Sequence, residues 1–141
     1  RPLSNYQFGE NAYRYLDKMT QLCEENGVEL VLIKAPSLYP YWYEQWDEQM
    51  ADYAKEHNLK YYNFLDVTDE IGLDYSQDTY DAGLHLNLSG AEKLSRYFGK
   101  ILQEDCGLSD RHGEEVLEKE WAAKLADYEA EIARQRQALK E

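Results

Sequence analysis

Long hydrophobic runs are missing from this sequence. The most strongly apolar stretch is Leu30-Val31-Leu32-Ile33, far short of the ~20 residues that cross a bilayer. Positive charge is scarce as well: 15 Lys and Arg stand against 28 Asp and Glu, a formal net charge of −13. That balance excludes the basic face with which a nucleic-acid binder displaces counterions from phosphates, and equally an electrostatic dock on anionic lipid. Cysteine is limited to Cys23 and Cys106, without the C-x-x-C spacing of a zinc or thiol-redox site. Two readings stay open for them: one thiol in a helix face and one near a helix end, or a disulfide tying the first helix to the end of the third in an oxidising compartment. No P-loop and no dinucleotide fingerprint occurs.

What is present is enough for a packed core. Hydrophobic residues make up 43% of the 141, and 13 Tyr and 3 Trp lead the aromatics, a composition unlike that of a disordered chain. From Glu10 to Glu25, Tyr13, Leu16, Met19, Leu22 and Cys23 recur at steps of three and four, which predicts a helix ended by Asn26-Gly27. Val28 to Ile33 is short, apolar and β-branched, a buried and parallel strand by pattern. Tyr41 to His57 reads as a second amphipathic helix, and Leu59 to Leu65 as a second strand. Asp66 to Leu84 is polar loop, with a short turn at Asp69 to Gly72. Ser89-Gly90-Ala91-Glu92 has the form of a capping box and predicts a third helix, with Ser89 as its cap. Helices alternating with apolar strands predict an α/β fold with a parallel sheet. Two strands are too few to be buried on both faces, so further strands are expected from elsewhere.

Beyond residue 109 the pattern changes. Trp121, Leu125, Tyr128, Ile132 and Leu139 form a narrow seam among Glu, Lys, Arg and Ala, predicting a long helix over 109–141. It either packs back on the domain or self-associates through residues 117–139.

Of three histidines, His57 and His112 sit among charged residues and read as surface. His85 lies after an acidic loop and directly before the third helix. An imidazole held by a carboxylate is the unit of general-base catalysis, because the carboxylate fixes the tautomer and stabilises the imidazolium. In open α/β sheets ligands bind beyond the strands' carboxyl ends, where Lys34-Ala35-Pro36-Ser37 and Asp66 fall.

The segment Asp78-Thr79-Tyr80-Asp81-Ala82-Gly83-Leu84-His85-Leu86-Asn87-Leu88-Ser89-Gly90-Ala91-Glu92-Lys93 resembles the last motif block of SGNH (GDSL-type) hydrolases. There an Asp and a His precede a final helix, and His-Leu-Asn followed by Gly-Ala-x-Lys is similar to bacterial members. Val28 to Ser37 is similar to their strand followed by Lys-x-Pro-Ser. The resemblance implies a flavodoxin-like three-layer sandwich with a parallel sheet over residues 1–108, incomplete at its N-terminus, with the long helix appended. It also implies hydrolysis or transfer of ester-linked acyl groups. The family's base maps onto His85 and its supporting carboxylate onto Asp81, with Asp78 as the alternative, since Asp81 stands four rather than three residues before the His. No Gly-Asp-Ser block exists in the chain. The Ser nucleophile is therefore expected outside it, in a longer protein, and the chain alone is expected to be inactive. Many bacterial relatives of this type resemble anchored extracytoplasmic enzymes of cell-surface carbohydrate, so the implied substrate is an acylated carbohydrate and the implied location the cell surface. Neither cofactor nor metal is implied.

The remaining candidates are weaker. Ser37 fits a turn better than a nucleophile. The acidic loop from Asp66 to Asp81 lacks the EF-hand register and reads as solvated. Tyr39, Tyr41, Trp42, Tyr43 and Trp46 make either a core cluster or a platform for sugar rings. A non-catalytic carbohydrate-binding or scaffold module, built on a degenerate hydrolase fold, is the contrasting reading of the whole.

Overall fold

Apolar residues at helical spacing wind Glu10–Glu25 into α1. The Val28 backbone N–H turns back to the Cys23 carbonyl at 2.8 Å and satisfies one of the helix's terminal acceptors. Val28 thus belongs to the helix end, and the first strand is shorter than its apolar run: β1 is Val31–Lys34. α2 follows as Glu44–Glu56, and β2 as Lys60–Asn63. The two strands pair in parallel, from Val31 opposite Lys60 to Lys34 opposite Asn63. The structure is a computed structural model and describes residues 3, 5–38 and 42–138.

The chain divides into two units, Arg1–Phe98 and Gly99–Glu141. In the first, Leu32 of β1 and Tyr53 and Ala54 of α2 are buried against Tyr13, Leu16, Leu30, Met50, Leu59 and Tyr61. The Tyr53 hydroxyl is shared by Thr20 at 3.0 Å and Asp17 at 2.9 Å, which ties α1 to α2. A second apolar centre surrounds Phe64, the most deeply buried large side chain. Its ring meets those of Tyr62, Tyr97 and Phe98. Close by in sequence, α3 (Thr68–Ile71) buries Ile71.

The three-layer flavodoxin-like sandwich is not there. The described residues are mostly helical, and their sheet has two strands of four residues each. The reason is compositional: outside β1 and β2, no described segment combines apolar and β-branched residues in a run long enough to pair. The polar stretch after β2 contributes only an isolated bridge between Thr79 and Leu86. Ile33, an apolar residue of β1, stays 46% exposed, because two strands leave sheet surface uncovered.

α4, Leu88–Glu104, begins one residue before the expected cap. Asn87, not Ser89, caps it: the Asn87 Oδ1 accepts the Gly90 N–H at 3.1 Å. Gly90 is needed for a different reason. A Cβ there would lie 2.4 Å from the Asp78 carbonyl oxygen, so only glycine lets the helix start against the preceding loop.

In the second unit, Leu108 donates its N–H to the Leu102 carbonyl at 3.1 Å, and Arg111 grips Glu114 through two nitrogens at 2.7 and 2.5 Å. α5 then runs from Glu115 to Ala138. Trp121 is 63% exposed, Leu125 54% and Tyr128 45%, so the seam lies open. Leu139, its last expected member, lies outside the described residues.

Candidate functional site

The ten residues from Asp78 to Asn87 form a braced hairpin leading into α4. Asn87 donates its N–H to the Asp78 carbonyl at 2.8 Å, and Thr79 and Leu86 form the antiparallel bridge. Inside the loop, the Thr79 hydroxyl donates to the Tyr75 carbonyl at 2.6 Å and accepts the Gly83 N–H at 3.0 Å. The turn is closed by Ala82 at φ 58° and Gly83 at φ 98°. Gly83 is doubly required. Besides its positive φ, a Cβ would sit 2.9 Å from Leu38 Cδ1. Leu38 in turn donates its N–H to the Gly83 carbonyl at 2.8 Å. That bond joins the hairpin to the segment leaving the carboxyl end of β1, where a parallel sheet places its ligands.

Within this frame Asp81 holds His85 twice. The Asp81 Oδ2 lies 2.6 Å from the ring Nδ1, and its Oδ1 accepts the His85 backbone N–H at 2.7 Å. Burial pushes the Asp81 carboxyl up. The hydrogen bonds from the His85 ring and backbone, the attraction of the ring when protonated, and the Leu84 N–H outweigh it, leaving Asp81 below the ordinary carboxylate range. An ionised carboxylate only accepts, so the proton of the neutral imidazole sits on Nδ1 and Nε2 is bare. Among the described residues nothing hydrogen-bonds that Nε2, and the His85 side chain is 60% exposed. The arrangement can take a proton from a group presented from outside.

Tyr80 completes the surroundings. Its ring is parallel to the imidazole within 9°, with centroids 5.8 Å apart. Sequence reasoning passed over Tyr80 because it is one more aromatic in a chain of many. The available signal is its place five residues before His85, across a turn that brings the two side chains together.

Asp78 is placed elsewhere. It is buried, and its Oδ2 accepts from Lys93 Nζ at 2.6 Å and from the Asp74 N–H at 2.8 Å. The Asp74 N–H, Lys93 and the Ser89 hydroxyl hold its carboxyl down to about 2 against the opposing effect of burial. It braces the hairpin's foot, and its side-chain bonds run to Lys93 and Asp74 rather than to His85.

The other candidates separate as follows. Ser37 flanks the Leu38–Gly83 contact. His57 stacks on the Tyr53 ring at 4.1 Å, and His112 is 94% exposed beside Asp110. In the acidic loop, Asp74 Oδ1 caps the Ser76 N–H at 2.9 Å, and no cluster of His, Cys, Asp and Glu among the described residues can hold a metal ion. Tyr39 and Tyr41 lie outside the described residues. Trp42, Tyr43 and Trp46 pack on one another and on Tyr6 and Phe8. The Trp42 Nε1–H and the Tyr61 hydroxyl both donate to Asp47 Oδ1, at 3.0 and 2.5 Å. These rings are largely engaged with one another, as in a core. Cys23 and Cys106 are free thiols. No described helix is long and apolar enough to cross a membrane.

Neither a curated protein nor a solved structure matches the chain. Residues 2–107 match the model of a protein family of unknown function, and the chain belongs to that family.

Proposed function

We propose that this chain supplies the base and its supporting carboxylate, His85 and Asp81, to a serine esterase or acyltransferase of SGNH type. The acyl groups would be ester-linked, with cell-surface carbohydrate as the favoured carrier, and the Ser nucleophile would come from polypeptide outside these residues. One observation supports the reading above all. Asp81 fixes Nδ1 while, among the described residues, none hydrogen-bonds Nε2, and the side chain is 60% exposed. A serine hydroxyl delivered to Nε2 would lose its proton there as it attacks the acyl carbon. The resulting imidazolium, stabilised by Asp81, would return the proton to the leaving alcohol. The test is ester cleavage by the whole gene product that carries these residues. His85→Ala should reduce kcat/KM roughly 10⁴–10⁶-fold, because Ser is a weak nucleophile without its base. Unchanged cleavage would overturn the assignment.

The open seam of α5 favours a second, separate role. We propose that α5 pairs antiparallel with α5 of a second copy. Between Glu115 and Glu131 it carries six acidic and two basic residues, whereas the following segment to Ala138 carries Arg134 and Arg136 and no acid. Antiparallel pairing sets the acidic stretch against the basic end and opposes the helix dipoles; parallel pairing sets acid on acid. Leu125→Glu should leave a monomer by sedimentation where the wild-type chain associates, and added salt should weaken the wild-type pair. Equal stoichiometry of the two would refute the pairing, and binding strengthened by salt would refute its antiparallel charge basis.

A further inference from the structure

The hairpin leaves one large aromatic side chain in water. Tyr80 is 70% exposed, and nothing in the core requires it. Among the described residues its ring contact is with His85, stacked and parallel within 9°, with centroids 5.8 Å apart. That is the geometry in which the quadrupoles of two flat π-systems attract. The two residues face each other across the turn, flanking the Thr79–Leu86 bridge, and a long backbone contact of 3.4 Å joins the Tyr80 N–H to the His85 carbonyl.

An imidazole on an exposed loop has two torsions to fix. The bond from Nδ1 to Asp81 holds one edge of the ring, but the ring can still rock about that bond. A flat partner on its face removes the rocking. Together Asp81 and Tyr80 determine where Nε2 points; either one alone leaves a cone of directions. A base that must meet an incoming hydroxyl at hydrogen-bond distance loses rate when that direction is spread.

We infer that Tyr80 is the positioning residue of His85, setting the plane of the imidazole so that Nε2 faces the approaching hydroxyl. The catalytic half of this inference rests on His85 being the base; the positioning half does not. The phenol oxygen has no part in it, because the ring face does the work, so phenylalanine should serve as well as tyrosine.

The experiment has two arms. In the first, side-chain NMR order parameters of the His85 ring C–H bonds are measured on this chain as wild type, Tyr80→Phe and Tyr80→Leu. Wild type and Tyr80→Phe should give values near a rigid backbone, about 0.85, and Tyr80→Leu a value below about 0.6. An unchanged order parameter in Tyr80→Leu would overturn the inference, as would equal loss in Tyr80→Phe. In the second arm, ester cleavage by the whole gene product is compared for the same variants. Tyr80→Leu should lower kcat about tenfold with KM unchanged, and Tyr80→Phe should restore it. Loss of ring order with kcat intact would overturn the catalytic half. His85→Ala without effect on cleavage would instead remove the base assignment, while the first arm still decides whether Tyr80 fixes the ring.

Discussion

Asp81 and His85, four residues apart, are joined by two hydrogen bonds, one from the ring at 2.6 Å and one from the backbone N–H at 2.7 Å. The carboxylate therefore shapes the loop and sets the tautomer at once.

Replacing Asp81 by Asn separates those two tasks. An amide oxygen can still accept the backbone N–H, so the hairpin should persist, but it no longer favours the proton on Nδ1 or stabilises an imidazolium. Nitrogen chemical shifts of His85 should report the Nε2–H form in Asp81→Asn, whose amide N–H donates to Nδ1, and the Nδ1–H form in the wild type. Cleavage by the whole gene product should fall roughly 10²–10⁴-fold. A wild-type ring protonated on Nε2 would contradict the hydrogen-bond assignment.

The pair of buried Asp78 and half-buried Lys93 sets an acid limit on stability. Asp78 is depressed from 3.8 to about 2 in the folded chain. A lowered folded value means that its contribution is complete above the unfolded value and is lost as pH falls through the folded one. It amounts to about 2 kcal/mol. Urea midpoints should thus hold down to about pH 4 and fall between there and about pH 2. Lys93→Met removes the partner of a buried carboxylate and should cost roughly 2–4 kcal/mol at neutral pH, less than a fully enclosed pair because Lys93 is partly exposed. The same variant should show a weaker loss on acidification. Identical acid profiles for wild type and Lys93→Met would contradict the role given to the pair.

Gly83→Ala should destabilise the chain by roughly 1–3 kcal/mol, through its positive φ and the collision with Leu38. Because Gly83 lies between Asp81 and His85, amide exchange should accelerate from Asp78 to Asn87 before it changes in α1 or α2. Uniform loss of protection across the first unit would contradict a local role.

The helices were the legible part of this fold. α1 lies where the helical spacing of its apolar residues sets it, with Tyr13 and Leu16 packed on the core, although Met19 and Leu22 of the same pattern stay exposed. β1 and β2 were legible as a parallel pair, though their ends were not: Val28 and Leu59 carry strand-like side chains, yet their N–H groups close the preceding helices onto Cys23 and Ala54. The sandwich was an inference from resemblance, and nothing among the described residues supplies its remaining strands. At the hairpin, the resemblance offered Asp81 with Asp78 as the alternative, and the four-residue spacing did not decide between them; the geometry puts Asp81 against the ring and Asp78 against Lys93. The cap at Asn87 was hidden because Ser89 and Glu92 fit the capping pattern two residues later. Tyr80 could be found only once the turn at Ala82-Gly83 had folded the loop back on itself.

The base role of His85 is open to chemical rescue, because its side chain is 60% exposed and a small molecule can reach the space it leaves. Ester cleavage by the whole gene product carrying His85→Ala should be measured with increasing free imidazole. A saturable recovery of rate, absent from the wild type, is the result expected of a missing proton acceptor. A properly folded His85→Ala protein whose impaired rate stays flat at every imidazole concentration would contradict it.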